Sequence, residues 1–249
     1  MRIRLFAKRN SKEILREPIY FAFGLGFPLI LLVLLSIINA SIPAEANNPM
    51  FEIQNLAPGM AMFGSSFMAL FLGMLVAKDR STSFLIRLYA SPMRAFDFLI
   101  GYAVPMILMS IGQATITLVA SLIYGLDFSL TLLLGILTTT LTSFLFIGLG
   151  LLCGTLLSDK AVGGICGALI TNLAGWFSGV FIPIDLIGGA FKTITRILPF
   201  YHSVEAIKAA LTGKIIDILP HLGVVLLYAF IIFAIVIPVF NKVMKGNKS

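Results

Sequence analysis

Six stretches without a single Asp, Glu, Lys or Arg constrain this chain more than any other feature; they fall at about 19–42, 56–77, 98–124, 131–157, 161–184 and 222–240. A helix needs about 20 apolar residues to cross the hydrocarbon of a bilayer. No water is available there to satisfy an open backbone, so the spanning form must close its own hydrogen bonds. The expected fold is therefore an all-α integral membrane protein with six transmembrane helices. Composition agrees: 59% of the residues are hydrophobic and 12% charged, against about 25% charged in a soluble domain. The first run follows a basic segment and precedes Ala44-Glu45-Ala46, which mimics a secretory signal. It is longer than the ~7–15 apolar residues of such signals, and it reads as an uncleaved anchor. Pro105, lacking a backbone donor, is expected to kink the start of the third span.

The net charge is +7, and the placement of that charge separates its possible meanings. Fourteen of the 18 Lys and Arg residues fall in 1–18, 78–97, 158–160 and 241–249, and four in the segments on the other side. By the positive-inside rule the first set, both termini included, is cytoplasmic. No nucleic-acid-binding motif accompanies the basic residues, so membrane lipid and topology are the reading and nucleic acid is not.

Two segments between and before the spans carry helical patterns of their own. In residues 1–18, Ile3, Phe6, Ile14 and Leu15 interleave with Arg2, Arg4, Lys8, Arg9, Lys12 and Arg16, the pattern of an interfacial amphipathic helix whose basic side meets anionic lipid. A disordered basic tail is the alternative. In 185–221, Ile187, Phe191, Ile194 and Leu198 recur at helical spacing up to Pro199. A second stretch is expected to start near Ser203 and stop at Gly213. The expectation is two short helices on or in the outer leaflet.

Candidate chemistry is sparse. An ion-coupled transporter places an ionisable group inside the bilayer, and these runs hold none. Gln113, Asn172, Thr139 and Thr142 are polar candidates within spans, for interhelical hydrogen bonds or for a substrate path. Ser178-Gly179 with His202 downstream does not specify a nucleophile and its base. No G-x-x-x-x-G-K-[ST] loop occurs, so ATP-driven work needs a partner. Cys153 and Cys166 lie within spans and read as packing residues rather than disulfide or zinc ligands. Small-residue pairs at Gly150 and Gly154, Gly163 and Gly167, and Gly175 and Gly179 permit close helix approach, within one subunit or, at Gly163 and Gly167, along a dimer seam.

The stretch between spans two and three is the most informative: Lys78-Asp79-Arg80, then Ser81 to Met93, ending Arg87-Leu88-Tyr89-Ala90-Ser91-Pro92-Met93. Phe84, Leu85, Leu88 and Tyr89 share one face of a short helix over 80–93 that Pro92 closes, with Arg87 free to meet a partner or a lipid phosphate. Such a helix suits insertion into a groove on another protein or contact with lipid alone. The Arg-Leu-Tyr-Ala-Ser-Pro-Met run at this position resembles the coupling segment of ABC-2-type transport permeases, the membrane subunits of type-2 ABC exporters. The basic N-terminal helix, Leu56-Ala57-Pro58-Gly59, Phe181-Ile182-Pro183, and Leu198 to His202 with Glu205-Ala206-Ile207 fit the same family in order. The chain departs from it at Ser81-Thr82-Ser83, where many members carry an acidic residue and a glycine.

The resemblance implies a single transmembrane domain over 1–249 in a bacterial cytoplasmic membrane. Two permease subunits, identical or not, would form the path and bind a separate cytosolic ABC ATPase. The chain itself would be no enzyme and hold no cofactor, ATP being bound by the partner. Phe84, Leu85, Arg87, Leu88, Tyr89 and Pro92 would be its ATPase-coupling residues. A self-sufficient transporter or channel and an intramembrane enzyme are the alternatives.

Overall fold

The structure, a computed structural model, describes residues 2–43, 49–82 and 93–246. Within them the chain is helical and no strand occurs. In order, the elements are α1 (Arg2–Arg16), α2 (Pro18–Ser41), α3 (Ile53–Ser81), α4 (Ala95–Leu122), α5 (Thr131–Leu156), α6 (159–176), α7 (Ile184–Ile187), α8 (Gly189–Ile197), α9 (Pro199–Leu211) and α10 (Ile215–Gly246). Five of these, α2, α3, α4, α5 and α10, are long and apolar enough to cross a membrane.

Helix α3 is the centre of the bundle, packed against α2, α4, α5, α6 and α9. Nearly every side chain along it is buried, from Leu56 to Ala77. Its neighbours approach through glycines. A Cβ on Gly150 or Gly154 of α5 would lie 2.7 Å from the Ala69 carbonyl oxygen and 2.6 Å from that of Gly73. Those two glycines therefore bring α5 against the α3 backbone, where dispersion contacts replace the hydrophobic force that lipid cannot supply. By contrast α2 and α10 turn Phe23, Ile30, Leu34 and Ile37, and Leu219, Leu227 and Phe230, outward, the apolar exterior that a lipid solvent permits.

Two helices widen locally. In α2 the turn Ala22–Gly26 is π-helical just before Pro28, which cannot donate to the preceding turn and whose ring crowds it. In α6 the glycine-rich stretch Gly163–Ile170 is π-helical throughout, and the Thr171 hydroxyl donates to the Cys166 carbonyl five residues back at 2.9 Å. Helix α4 runs unbroken through Pro105.

Several boundaries differ from the expected ones. The stretch 161–184 is helical only to Trp176, because the chain turns through Gly179, at φ +83, before Pro183. The helix α9 begins at Pro199, not near Ser203, since a proline at the first helical position lacks a donor that would be orphaned anyway. It ends as expected at Gly213, φ +71, where the Gly213 and Lys214 amides donate to the Ala210 and Ala209 carbonyls. The last span starts at Ile215 rather than 222, with Asp217 in its positive first turn.

The glycine packing yields a contrast in stability. Gly154→Ala should overpack the α3–α5 contact by about 1–3 kcal/mol and lower the melting temperature of the detergent-solubilised chain. Gly163→Ala, whose Cβ meets nothing within 4 Å, should leave it unchanged or slightly raised.

Candidate functional site

At the end of the bundle rich in Lys and Arg, α3 continues one turn beyond its apolar run, and that turn buries a carboxylate. Asp79 is 2% exposed. It lies on the stripe of Leu72, Leu75 and Val76, all likewise buried, so helical periodicity aims it into the protein. Three donors meet it there. Arg9 of α1 donates from Nη1 to Oδ2 at 2.5 Å and from Nη2 to Oδ1 at 2.8 Å, a two-pronged charge-assisted bond. Tyr102 of α4 donates its hydroxyl to Oδ2 at 2.8 Å. A buried carboxylate without such partners would cost several kcal/mol.

The guanidinium is itself held from two further sides. It bonds Glu13 at 2.6 Å, one helical turn along α1, and the Asn10 side-chain oxygen at 2.9 Å. Burial works to lower the pKa of Arg9, but the bonds and charge of Asp79 outweigh it and the net shift is upward. Lys78, next to Asp79, reaches Glu13 at 3.2 Å and Glu17 at 3.5 Å.

The apolar side of α1 completes the fit. Phe6 is buried and stands edge-on to Phe98 and Tyr102 at 5.5 and 4.9 Å between centroids. A Cβ on Gly101 would lie 2.3 Å from the Phe6 ring, so the absent side chain makes the seat. Fully buried Asn10 donates to the Gly101 carbonyl at 3.0 Å. Thus α1 is docked on protein along Phe6, Asn10 and Ile14, where the sequence pattern pointed to the headgroup layer. On the other flank Arg80 donates to the Thr155 carbonyl at 2.5 Å and also to that of Leu157, capping the negative end of α5 with a cation. One turn of α3 therefore ties α1, α4 and α5 together.

The sequence-predicted coupling residues Phe84, Leu85, Arg87, Leu88, Tyr89 and Pro92 lie outside the described residues. The foot of α3 leads into them at Thr82, and Met93, which follows them and precedes α4, is buried. The polar span residues are dispersed. Gln113 is fully buried between α3 and α4, accepting from Ser65 at 3.4 Å and donating to Thr117 at 3.2 Å. A Cβ on Gly64 would lie 2.0 Å from its Nε2. Thr139 and Thr142 are buried in α5 with their hydroxyls on the Gly135 and Thr139 carbonyls. Asn172 is exposed on α6 and bonds the Ala168 carbonyl. Gly163 faces open space, while a Cβ on Gly167 would lie 3.3 Å from the Leu70 side chain of α3.

At the opposite end, His202 of α9 and His221 of α10 share a ring-nitrogen hydrogen bond of 2.8 Å, and His202 also contacts the Arg196 carbonyl at 2.8 Å. The Ser178 hydroxyl donates to the Gly175 carbonyl and accepts from the Val180 amide. Each is thus engaged in local structure. Ser178 lines a cleft of about 390 Å³ with Asn55, Arg196, Tyr201, Glu205 and Lys208.

Arg9, Asp79 and Tyr102 do not stand out as a unit in the amino-acid sequence. The one usable signal was the register of Asp79, on the same stripe as Leu72, Leu75 and Val76. Removing the carboxylate's charge tests the clamp. Asp79→Asn should cost between the ~1 kcal/mol of an exposed pair and the ~3–5 kcal/mol of a buried one, because a third of the Arg9 side chain remains exposed. In limited trypsin digestion the variant should be cut faster at Lys8, Arg9 and Lys12 than the parent.

Known proteins bear on this arrangement. The family model described as ABC-2 type transporter matches residues 1–212. The chain is 28% identical over 134 residues to the probable multidrug ABC transporter permease YbhR of Escherichia coli (strain K12), covering 53% of this chain and 36% of that protein. It is 34% identical over 59 residues to nodulation protein J of Rhizobium meliloti (strain 1021), 23% of this chain and 22% of the relative. Against nodulation protein J of Rhizobium leguminosarum bv. trifolii it is 28% identical over 105 residues, 42% and 40% respectively. The chain thus spans well under half the length of each of these relatives. The family model nonetheless takes in α1, the Asp79 turn and every helix through α9, and the chain is a multi-pass membrane protein of the ABC-2 type transporter family.

Proposed function

We propose that this chain is the permease subunit of an ATP-driven exporter, pairing with a second permease subunit and drawing energy from a separate cytosolic ABC ATPase. The observation that carries the reading is the Asp79 clamp. It joins α1 and α4 to α3, the most buried helix of the bundle, whose foot leads into the coupling residues. A push on α1 reaches α3 through packed, hydrogen-bonded groups and one on the coupling residues reaches it along the chain at Thr82, and such bundles switch between discrete arrangements rather than yielding gradually. The Lys- and Arg-rich end is the cytoplasmic one, with both termini there. The sixth crossing is completed by 161–184, its helical part followed by the Gly179 turn. ATP is bound by the partner subunit, and this chain holds no cofactor and performs no catalysis.

The apolar faces of α2 and α10 and the glycines of α6 are the surfaces available to a second subunit. Gln113, Thr139, Thr142 and Asn172 remain path candidates that only the paired subunits would align. Missing intramembrane charge disfavours a self-powered transporter.

Affinity purification in mild detergent should bring down a P-loop ATPase whose hydrolysis rises on reconstitution with the chain. Arg87→Glu should leave insertion and yield unchanged while lowering that co-purification at least several-fold. A variant that binds the ATPase and exports normally would remove Arg87 from the coupling surface, and a chain that transports with no ATPase present would overturn the reading.

A further inference from the structure

Beside the docked helix α1, an apolar groove of about 330 Å³ opens between α1, α2 and α4. Its walls include Leu15, Phe21, Leu25, Leu108, Gly112 and Ile116. Along α4 the lining runs from Pro105 to Ile116, which at 1.5 Å per residue is about 16 Å. That is about half of a ~30 Å hydrocarbon core, the depth of one leaflet. Ser11, Ile14 and Leu15 line the groove from α1.

The same helix carries a row of exposed cations, of which Lys8 and Lys12 stand three residues before Ser11 and Leu15 of that lining and so adjoin it on the helix surface. Lys8, Lys12 and Arg16 are exposed and border a shallow concavity of about 440 Å³ with Leu5, Arg9 and Glu13. The ion pairs among the described residues use Arg9 and Lys78, and Glu13 is shared by those two. None of them uses Lys8, Lys12 or Arg16. An apolar slot one leaflet deep, with uncommitted cations on the adjoining surface of α1, matches a negatively charged headgroup on an acyl chain.

We propose that this groove is a binding site for an anionic phospholipid, its acyl chain lying along α4 and its phosphate over Lys8, Lys12 and Arg16. A second copy of the chain is the weaker occupant, because two-fold packing across this groove would set one cationic row against its twin. The site is independent of the transport reading. It gives α1 a lipid contact on one flank while Asp79 holds it on the other.

The test uses the full chain, purified alone in detergent and titrated with phosphatidylglycerol and with phosphatidylcholine of identical acyl chains, bound lipid being counted by native mass spectrometry. Phosphatidylglycerol should bind about tenfold more tightly than phosphatidylcholine, and Lys8→Glu with Lys12→Glu should abolish that preference. Gly112→Leu fills the groove from a position whose Cβ meets nothing within 4 Å. It should weaken both lipids at least fivefold with an unchanged melting temperature. Ile116→Trp on the opposite end of the lining should do the same, and serves if the first variant is unstable. Equal binding of the two lipids by the parent chain, or undiminished binding by both groove-filling variants, overturns the proposal. So does efficient disulfide formation between copies through Leu108→Cys in lipid nanodiscs, which would show the groove covered by protein.

Discussion

A carboxylate taken out of water must be matched by donors or pushed back toward solvent, and at Asp79 the match is made by two helices that the chain reaches 70 residues earlier and 23 residues later. The rest of the basic end is organised around that requirement. Arg9 can reach Asp79 only if α1 lies across the foot of α3. It can lie there only because Gly101 leaves room for Phe6, and Asn10 then satisfies the Gly101 carbonyl. Electrostatics and packing are therefore one constraint here.

Above this junction the bundle is held by close approach rather than by hydrophobic force. Lipid tails are as apolar as leucine, so helices gain by dispersion and by short backbone separations. Glycines at 64, 150 and 154 provide those separations around α3, and Gln113 fills the space that Gly64 leaves. The hydroxyls of α5 mostly bond their own helix, which stitches polar side chains into a buried helix without demanding partners across it. The outer helices α2 and α10 contribute few buried residues and present apolar surface instead.

How much of this was legible in the sequence follows from which forces are local. Five long apolar helices were readable because length and the absence of charge are all that a span needs. The Gly213 stop of α9 was readable because a left-handed cap favours glycine. The end of 161–184 was not, since Ile182 to Ile184 are as apolar as the helix before them and only the backbone at Gly179 turns the chain aside. The clamp was also hidden. Nothing about Arg9 or Tyr102 taken alone distinguishes a buried partner from a snorkelling side chain, and their meeting depends on the tertiary placement of α1. The relatives, each matched over a part of its length, place the chain in a family without choosing its cargo.

If a separate ATPase drives this chain, as proposed, α1 and the foot of α3 move as one body when it acts. Dipolar spectroscopy with spin labels at Leu5 and Ser81, and at Ser81 and Leu227, measured in the chain reconstituted with the proposed ATPase, tests it most directly. The account predicts that the Leu5–Ser81 distance stays fixed between nucleotide-free and ATP-bound states while the Ser81–Leu227 distance changes. A shift or broadening of the Leu5–Ser81 distance on ATP binding would contradict it.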